Sequence, residues 1–187
     1  MTAPRAPTRW LRPFCAAVAM MALSMSARSY AQSATAAALT SAFLYNFAKF
    51  TEWPADSLAP GQRIALCVLG DNAVASALEQ TIKGHAIESH ELTVELLKPD
   101  ASAARTCHLL YMSGLDEKRS AQLIESLKSA PVLTASDANR FAELGGVAQL
   151  TLENGRMRFA INVSAAQRAR LQLSSKLLSL ARIVKDE

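Results

Sequence analysis

The chain has 187 residues, enough for one globular domain of ordinary size. Half of the residues are hydrophobic and 19% are charged, which excludes a disordered chain, and seven glycines and seven prolines exclude a collagen-like or linker-dominated one. The formal charge of +4 suggests a nucleic-acid binder only until the charges are located along the chain.

Residues 1–31 hold Arg5, Arg9, Arg12 and Arg28 and no acidic residue. An apolar stretch from Phe14 to Met25, broken only by Ser24, follows the first three arginines and runs on to Ser29-Tyr30-Ala31. A basic start, a short apolar run and a small-x-small exit make a secretory signal peptide, with cleavage expected after Ala31. The run is too short for a comfortable membrane span. Removing it lowers Lys plus Arg from 20 to 16 against 16 Asp plus Glu, so residues 32–187 are formally neutral. A neutral domain lacks the electrostatic footprint of a nucleic-acid binder, and no membrane insertion is expected of it after cleavage. Cys15 leaves with the signal, and Cys67 and Cys107 remain as an even pair suited to an oxidising compartment. A disulfide between them closes a loop of about forty residues, worth roughly 4 kcal/mol on the chain-entropy estimate.

Along the mature chain, Leu39, Phe43, Phe47 and Phe50 recur at helical spacing and predict an amphipathic helix ending before Pro54. Ile64 to Leu69 is a continuous apolar run suited to a strand buried on both faces. Asp71 is placed to cap a helix reaching about Lys83, with Gly84 as its stop. Strands are predicted near Leu92–Leu97, Cys107–Met112 and Pro131–Thr134, with a helix over Leu115–Ala130 between the last two. Ser136 or Asp137 is placed to cap a brief helix to Leu144. After Gly145-Gly146 the period becomes two: Ala148, Leu150 and Leu152 form one apolar face, and Met157, Phe159 and Ile161 form that of the returning strand. Asn154-Gly155 between them is a preferred type I′ hairpin turn. Ser164 opens a last helical region in which Leu173, Leu177, Leu180 and Val184 share a face. The order predicts a single three-layer α/β domain over 32–187: a mostly parallel sheet with helices on both faces and an antiparallel C-terminal hairpin at one edge.

Catalytic patterns are weak. Ser113-Gly114 lacks the preceding glycine of a nucleophile elbow and reads as a turn. His85, His90 and His108 with Cys107 match no zinc spacing, so no metal is expected, and no cofactor either. Gly70-Asp71 is far short of a phosphate-binding glycine pattern and reads as a turn and helix cap. Two features stand out. Trp53-Pro54, directly after the first amphipathic helix, either plugs the core or stands as an exposed contact. Arg156 and Arg158, with Asn162, project from the polar face of the hairpin, either as a solvated surface or as contacts for an anionic ligand or a partner carboxylate.

Six pieces in order resemble the YfiR-like family of periplasmic proteins over about residues 36–184: Tyr45 to Pro54, Ile64 to Gly70, Cys107 to Tyr111, Pro131 to Thr134, Gly145-Gly146 with Arg158 to Asn162, and Leu173 to Leu178. The resemblance implies a small α/β domain, usually dimeric, in the Gram-negative periplasm. Its best-understood member represses an inner-membrane diguanylate cyclase by binding that enzyme's periplasmic sensor region, which restrains cyclic di-GMP and biofilm formation. Cys67 and Cys107 match one of the family's disulfide pairs; the second pair found in some relatives has no counterpart between Phe141 and Leu152.

The combined reading is a non-enzymatic, exported regulator that biases the periplasmic part of a membrane diguanylate cyclase or sensor kinase by binding one of its states better. Phe50, Trp53, Leu173 and Leu177 are the candidate partner or dimer contacts. Two other readings stay open: a small-ligand-binding or sensor subunit with Arg156, Arg158 and Asn162 near the ligand, and a hydrolase without a recognisable motif.

Overall fold

The computed structural model describes residues 36–98 and 102–185, beginning with a helix over 36–49 (α1). The signal peptide read at 1–31 lies outside the described residues. In chain order follow β1 (Thr51–Glu52), β2 (Ile64–Leu69), α2 (Asn72–Ile82), β3 (Ala86–Ile87) and β4 (His90–Leu97). A short 3₁₀ turn at Ser102–Thr106 leads to β5 (Leu109–Met112), α3 (Glu117–Leu127) and β6 (Leu133–Ser136). The chain ends with β7 (Ala148–Glu153), β8 (Arg156–Asn162), α4 (Val163–Arg168), β9 (Gln172–Leu173), α5 (Ser175–Leu178) and β10 (Arg182–Val184). Apart from the first residue of α1, all of these belong to the unit Ala37–Glu187.

Eight strands form the main sheet in the order β10-β8-β7-β6-β5-β2-β4-β3. The five strands β4, β2, β5, β6 and β7 run parallel. They are the apolar runs of the sequence, and their burial follows from helices packing on both faces. On one face Leu66, Val68, Leu109 and Leu133 meet Leu44 and Phe47 of α1 and Val74 and Leu78 of α2 in one core. On the other, Cys67, Leu69, Leu110 and Met112 meet Ile124 and Leu127 of α3 in a second. The chain is thus a three-layer α/β fold with a mostly parallel sheet, as its pattern predicts. The local signals behave as expected too. The Asp71 carboxylate accepts from the Ala73 and Val74 N–H groups at 2.9 and 3.0 Å and starts α2. Asn154 and Gly155 both have positive φ, 51° and 74°, as a type I′ turn requires.

Three expectations are corrected. The hairpin β7–β8 is not the sheet edge, because β10 runs parallel to β8 with Ile183 beside Ile161. The continuous C-terminal helix is broken: α4 stops before Arg170 at φ 57°, β9 pairs with β1, and Ser174 caps the one-turn α5. Leu173, Leu177, Leu180 and Val184 consequently fall in a strand, a short helix, a turn and a second strand rather than on one helical stripe. The open side of β8 and the unpaired β1 offer hydrogen bonds that a helix would forgo, and the β-branched pair Ile183-Val184 favours the strand. Finally, 137–144 forms turns instead of a helix, with Arg140 at φ 59° and Phe141 turned into the second core. Gly146 makes room for that ring, since a Cβ there would lie 2.1 Å from it.

Candidate partner-binding site

The Phe50–Pro54 segment leaves α1 and immediately docks. Thr51 donates to the Phe47 carbonyl at 2.7 Å, closing the last turn of α1, and the Phe50 carbonyl accepts from the Ser174 N–H at 2.9 Å, which brings β9 alongside β1. Trp53 is half-buried, and its indole N–H donates to the His108 carbonyl at 3.0 Å. The two rings meet edge-on, 5.9 Å apart. Trp53 packs against the core and also lines a groove.

His108 is the knot of this region. Its N–H donates to the Ala65 carbonyl at 2.9 Å, and its own carbonyl also accepts from Leu133 N–H at 2.9 Å. Nδ1 accepts from the Ala65 N–H at 3.0 Å, so Nε2 carries the proton and donates to the Ser57 carbonyl at 3.1 Å. Burial pushes the imidazole below its ordinary pKa of 6.5, His90 pushes it the same way, and the Ser57 carbonyl opposes them. With both nitrogens engaged by backbone, His108 has no lone pair left for a substrate or a metal. Its neighbour Cys107 is bonded to Cys67, with the Cα atoms 5.9 Å apart and both residues buried. One histidine and one disulfide therefore hold β1, β2, β5 and β6 together at one end of the parallel strands.

Beside this knot runs an open groove of about 650 Å³, between β1 and the β3–β4 turn. Phe50, Trp53, Leu58 and Ile87 supply apolar walls, with Lys49, Lys176 and Glu88 at the rim. Of the four predicted partner contacts, Phe50 and Trp53 line the groove. Leu173 sits behind them, paired with Thr51, and Leu177 is buried in the core beneath. The three predicted ligand contacts separate. Arg156 and Arg158 are exposed on β8, whereas Asn162 is fully buried. Its side-chain oxygen accepts from the Ala165 N–H at 2.9 Å, capping α4, and its amide donates to the Ala142 carbonyl at 2.7 Å.

Elsewhere the strand ends are closed. The Asp71 cap occupies N–H groups that a phosphate would take, and a Cβ at Gly70 would lie 2.2 Å from the Ser113 carbonyl oxygen. Burial first, and then the Asp137 carboxylate, push the Tyr111 hydroxyl far above its ordinary range, so it stays a neutral phenol. No cluster of three or more metal-ligating side chains occurs among the described residues.

The sequence profile of the YfiR/HmsC-like family matches residues 37–182, nearly every described residue. The chain belongs to the YfiR/HmsC-like family. At family level this makes it a periplasmic regulator of diguanylate cyclase activity, regulatory rather than catalytic, that works with a membrane partner. Among the described residues no helix is long and apolar enough to cross a membrane. Sequence reasoning passed over His108 except as a rejected metal ligand; the signal for its real role was its place next to Cys107, at the mouth of a buried strand.

Proposed function

We propose that this protein is exported through the leader at 1–31 and represses an inner-membrane diguanylate cyclase by binding its periplasmic sensor region, lowering cyclic di-GMP and biofilm formation. The family match over 37–182 carries this reading. The site is consistent with it, because both ring nitrogens of His108 are held by backbone and the groove beside it offers apolar walls to a partner surface. Such a protein shifts its partner only by as much as it prefers one of the partner's states. Phe50 and Trp53 on the groove are the proposed partner or dimer contacts, with Leu173 and Leu177 holding them in place.

Deleting the gene should raise cellular cyclic di-GMP, and supplying the exported protein should restore it. Mild crosslinking of envelopes should then recover a membrane protein with a periplasmic sensor region and a cyclase output. Unchanged cyclic di-GMP, with only self-crosslinks while a control periplasmic pair is captured, would overturn the reading. The groove of about 650 Å³ favours a second reading, a small-ligand-binding or sensor subunit of a membrane histidine kinase. A ligand-dependent rise in melting temperature, together with recovery of a kinase, would select it.

A further inference from the structure

The charges that balance over the mature chain are segregated within it. Residues 154–185 contain seven basic residues and no acidic one, whereas residues 32–153 hold nine basic and fourteen acidic. Four of the seven lie together on the last two strands of the main sheet or just after them. Arg156 and Arg158 project from one face of β8. Arg182 of β10 stands beside Ala160 and so shares that face, and Lys185 follows at the end of the strand. Among the described residues, no hydrogen bond or ion pair engages the side chain of Arg156 or Arg158, and Arg182 reaches only Glu143, at 3.8 Å.

The same place gathers exposed apolar surface. Four large hydrophobic residues are more than half exposed among the described residues, and three of them, Leu152, Leu180 and Ile183, lie here at 53%, 77% and 51%. Leu180 borders a shallow groove of about 340 Å³ with Arg158, Arg182, Thr151 and one carboxylate, that of Glu153, which stands opposite Arg156 at the hairpin end. Ile183 takes the opposite face, beside the buried Ile161. Among the described residues β10 has a strand on one side only. Its outer backbone therefore presents N–H and C=O groups to whatever comes next, and such an edge is a template for another extended chain.

We infer that the outer edge of β10 is a docking site for an extended polypeptide segment whose side chains alternate acidic and apolar, added as a ninth strand to the sheet. The acidic side chains lie along Arg158 and Arg182, and the apolar ones lie over Ile183 on the other face. A strand's period of two makes that alternation the complement of this edge. The open backbone is what selects a polypeptide over an anionic lipid surface, which satisfies the arginines but not the edge. The opposite end of the sheet is unlike it: β4 carries Glu91 and Glu95, and β3 covers its first residues. The inference rests on the regulator reading only for the owner of the segment, which would be the periplasmic region of the membrane partner.

The test uses the purified mature protein and needs no partner. A short acetylated Glu-Val repeat peptide is titrated in and followed by amide chemical shifts. Shifts confined to 156–160 and 180–184, weakening with salt, are the expected result. Charge reversal in Arg158→Glu/Arg182→Glu should weaken binding by about tenfold or more without changing the melting temperature. Equal binding of a Lys-Val repeat or of a Glu-Ser repeat would overturn the inference, the first by showing mere apolar adhesion and the second mere charge attraction. So would the absence of shifts, or binding of phosphatidylglycerol vesicles through these residues while the peptide fails. None of these outcomes alters the cyclic di-GMP test, so the two readings fail separately.

Discussion

The Trp53–His108 knot and the β8–β10 edge lie in one domain and are opposites in how far their polar groups are satisfied. At the knot the Trp53 indole, both His108 nitrogens and the His108 peptide group all have partners, and the disulfide beside them is buried. At the edge, among the described residues, two arginines lack partners, the outer backbone of β10 has no neighbouring strand, and Leu180 is 77% exposed. Buried groups left unsatisfied are costly, whereas exposed ones lose little until a partner covers them. The contrast separates what holds the fold from what is left over for binding. Substitutions at the knot should cost stability, and those at the edge should cost association alone.

The largest expected effect is removal of the disulfide. Cys67→Ala/Cys107→Ala should lose roughly 4 kcal/mol, read as a drop in the denaturant midpoint under oxidising conditions. If the double variant melts with the wild type, the knot is not held by its covalent link. Gly70→Ala comes next. It places a Cβ 2.2 Å from the Ser113 carbonyl oxygen at a φ of 86°, and should cost about 1–3 kcal/mol by equilibrium unfolding. Trp53→Phe keeps an aromatic ring but removes the donor to the His108 carbonyl, which still accepts from Leu133. About 1 kcal/mol is expected, and a melting curve measures it.

The pH response gives a fourth test. His108 is held neutral in the fold and has a folded pKa below 6.5, so below that value the unfolded chain binds more protons than the folded one. This contribution to stability is complete above 6.5 and is lost as pH falls from there toward the folded pKa. Unfolding midpoints between neutral and mildly acidic pH should show the decline, and His108→Gln should flatten it. At the edge, Arg158→Glu/Arg182→Glu should shift unfolding by no more than about 0.5 kcal/mol, the smallest effect of the set. A large loss there would mean that those arginines hold the sheet together, and the contrast would collapse.

Much of the fold was legible because its signals are local. The apolar run Ile64–Leu69 has no helical period, the Asp71 cap sits at the first N–H groups of α2, and Asn154-Gly155 demands a type I′ turn. The C-terminal region was illegible for the converse reason. Leu173, Leu177, Leu180 and Val184 do recur at helical spacing, but the chain there answers to two distant strands with free edges, β1 and β8. No local pattern records that an edge far away in sequence is open. The site was legible to the same degree. Trp53 stands out by composition and Cys67 with Cys107 by count, but Asn162 looks like an exposed polar residue and becomes a buried cap only once Ala142 is folded over it. The helical spacing makes Arg182 a basic residue near a helix C-terminus, which hides its place beside Ala160 of β8.

The link between Cys67 and Cys107, 40 positions apart, closes the chain between them into a covalent ring that contains α2, β3 and β4. The exposed turn at Glu88-Ser89, where Glu88 has φ 52°, lies inside it. A protease that nicks the chain at this turn therefore releases nothing, and the two pieces stay joined until a reductant reaches a buried sulfur pair. On a denaturing gel such a nicked molecule runs as one band without reductant and as two with it.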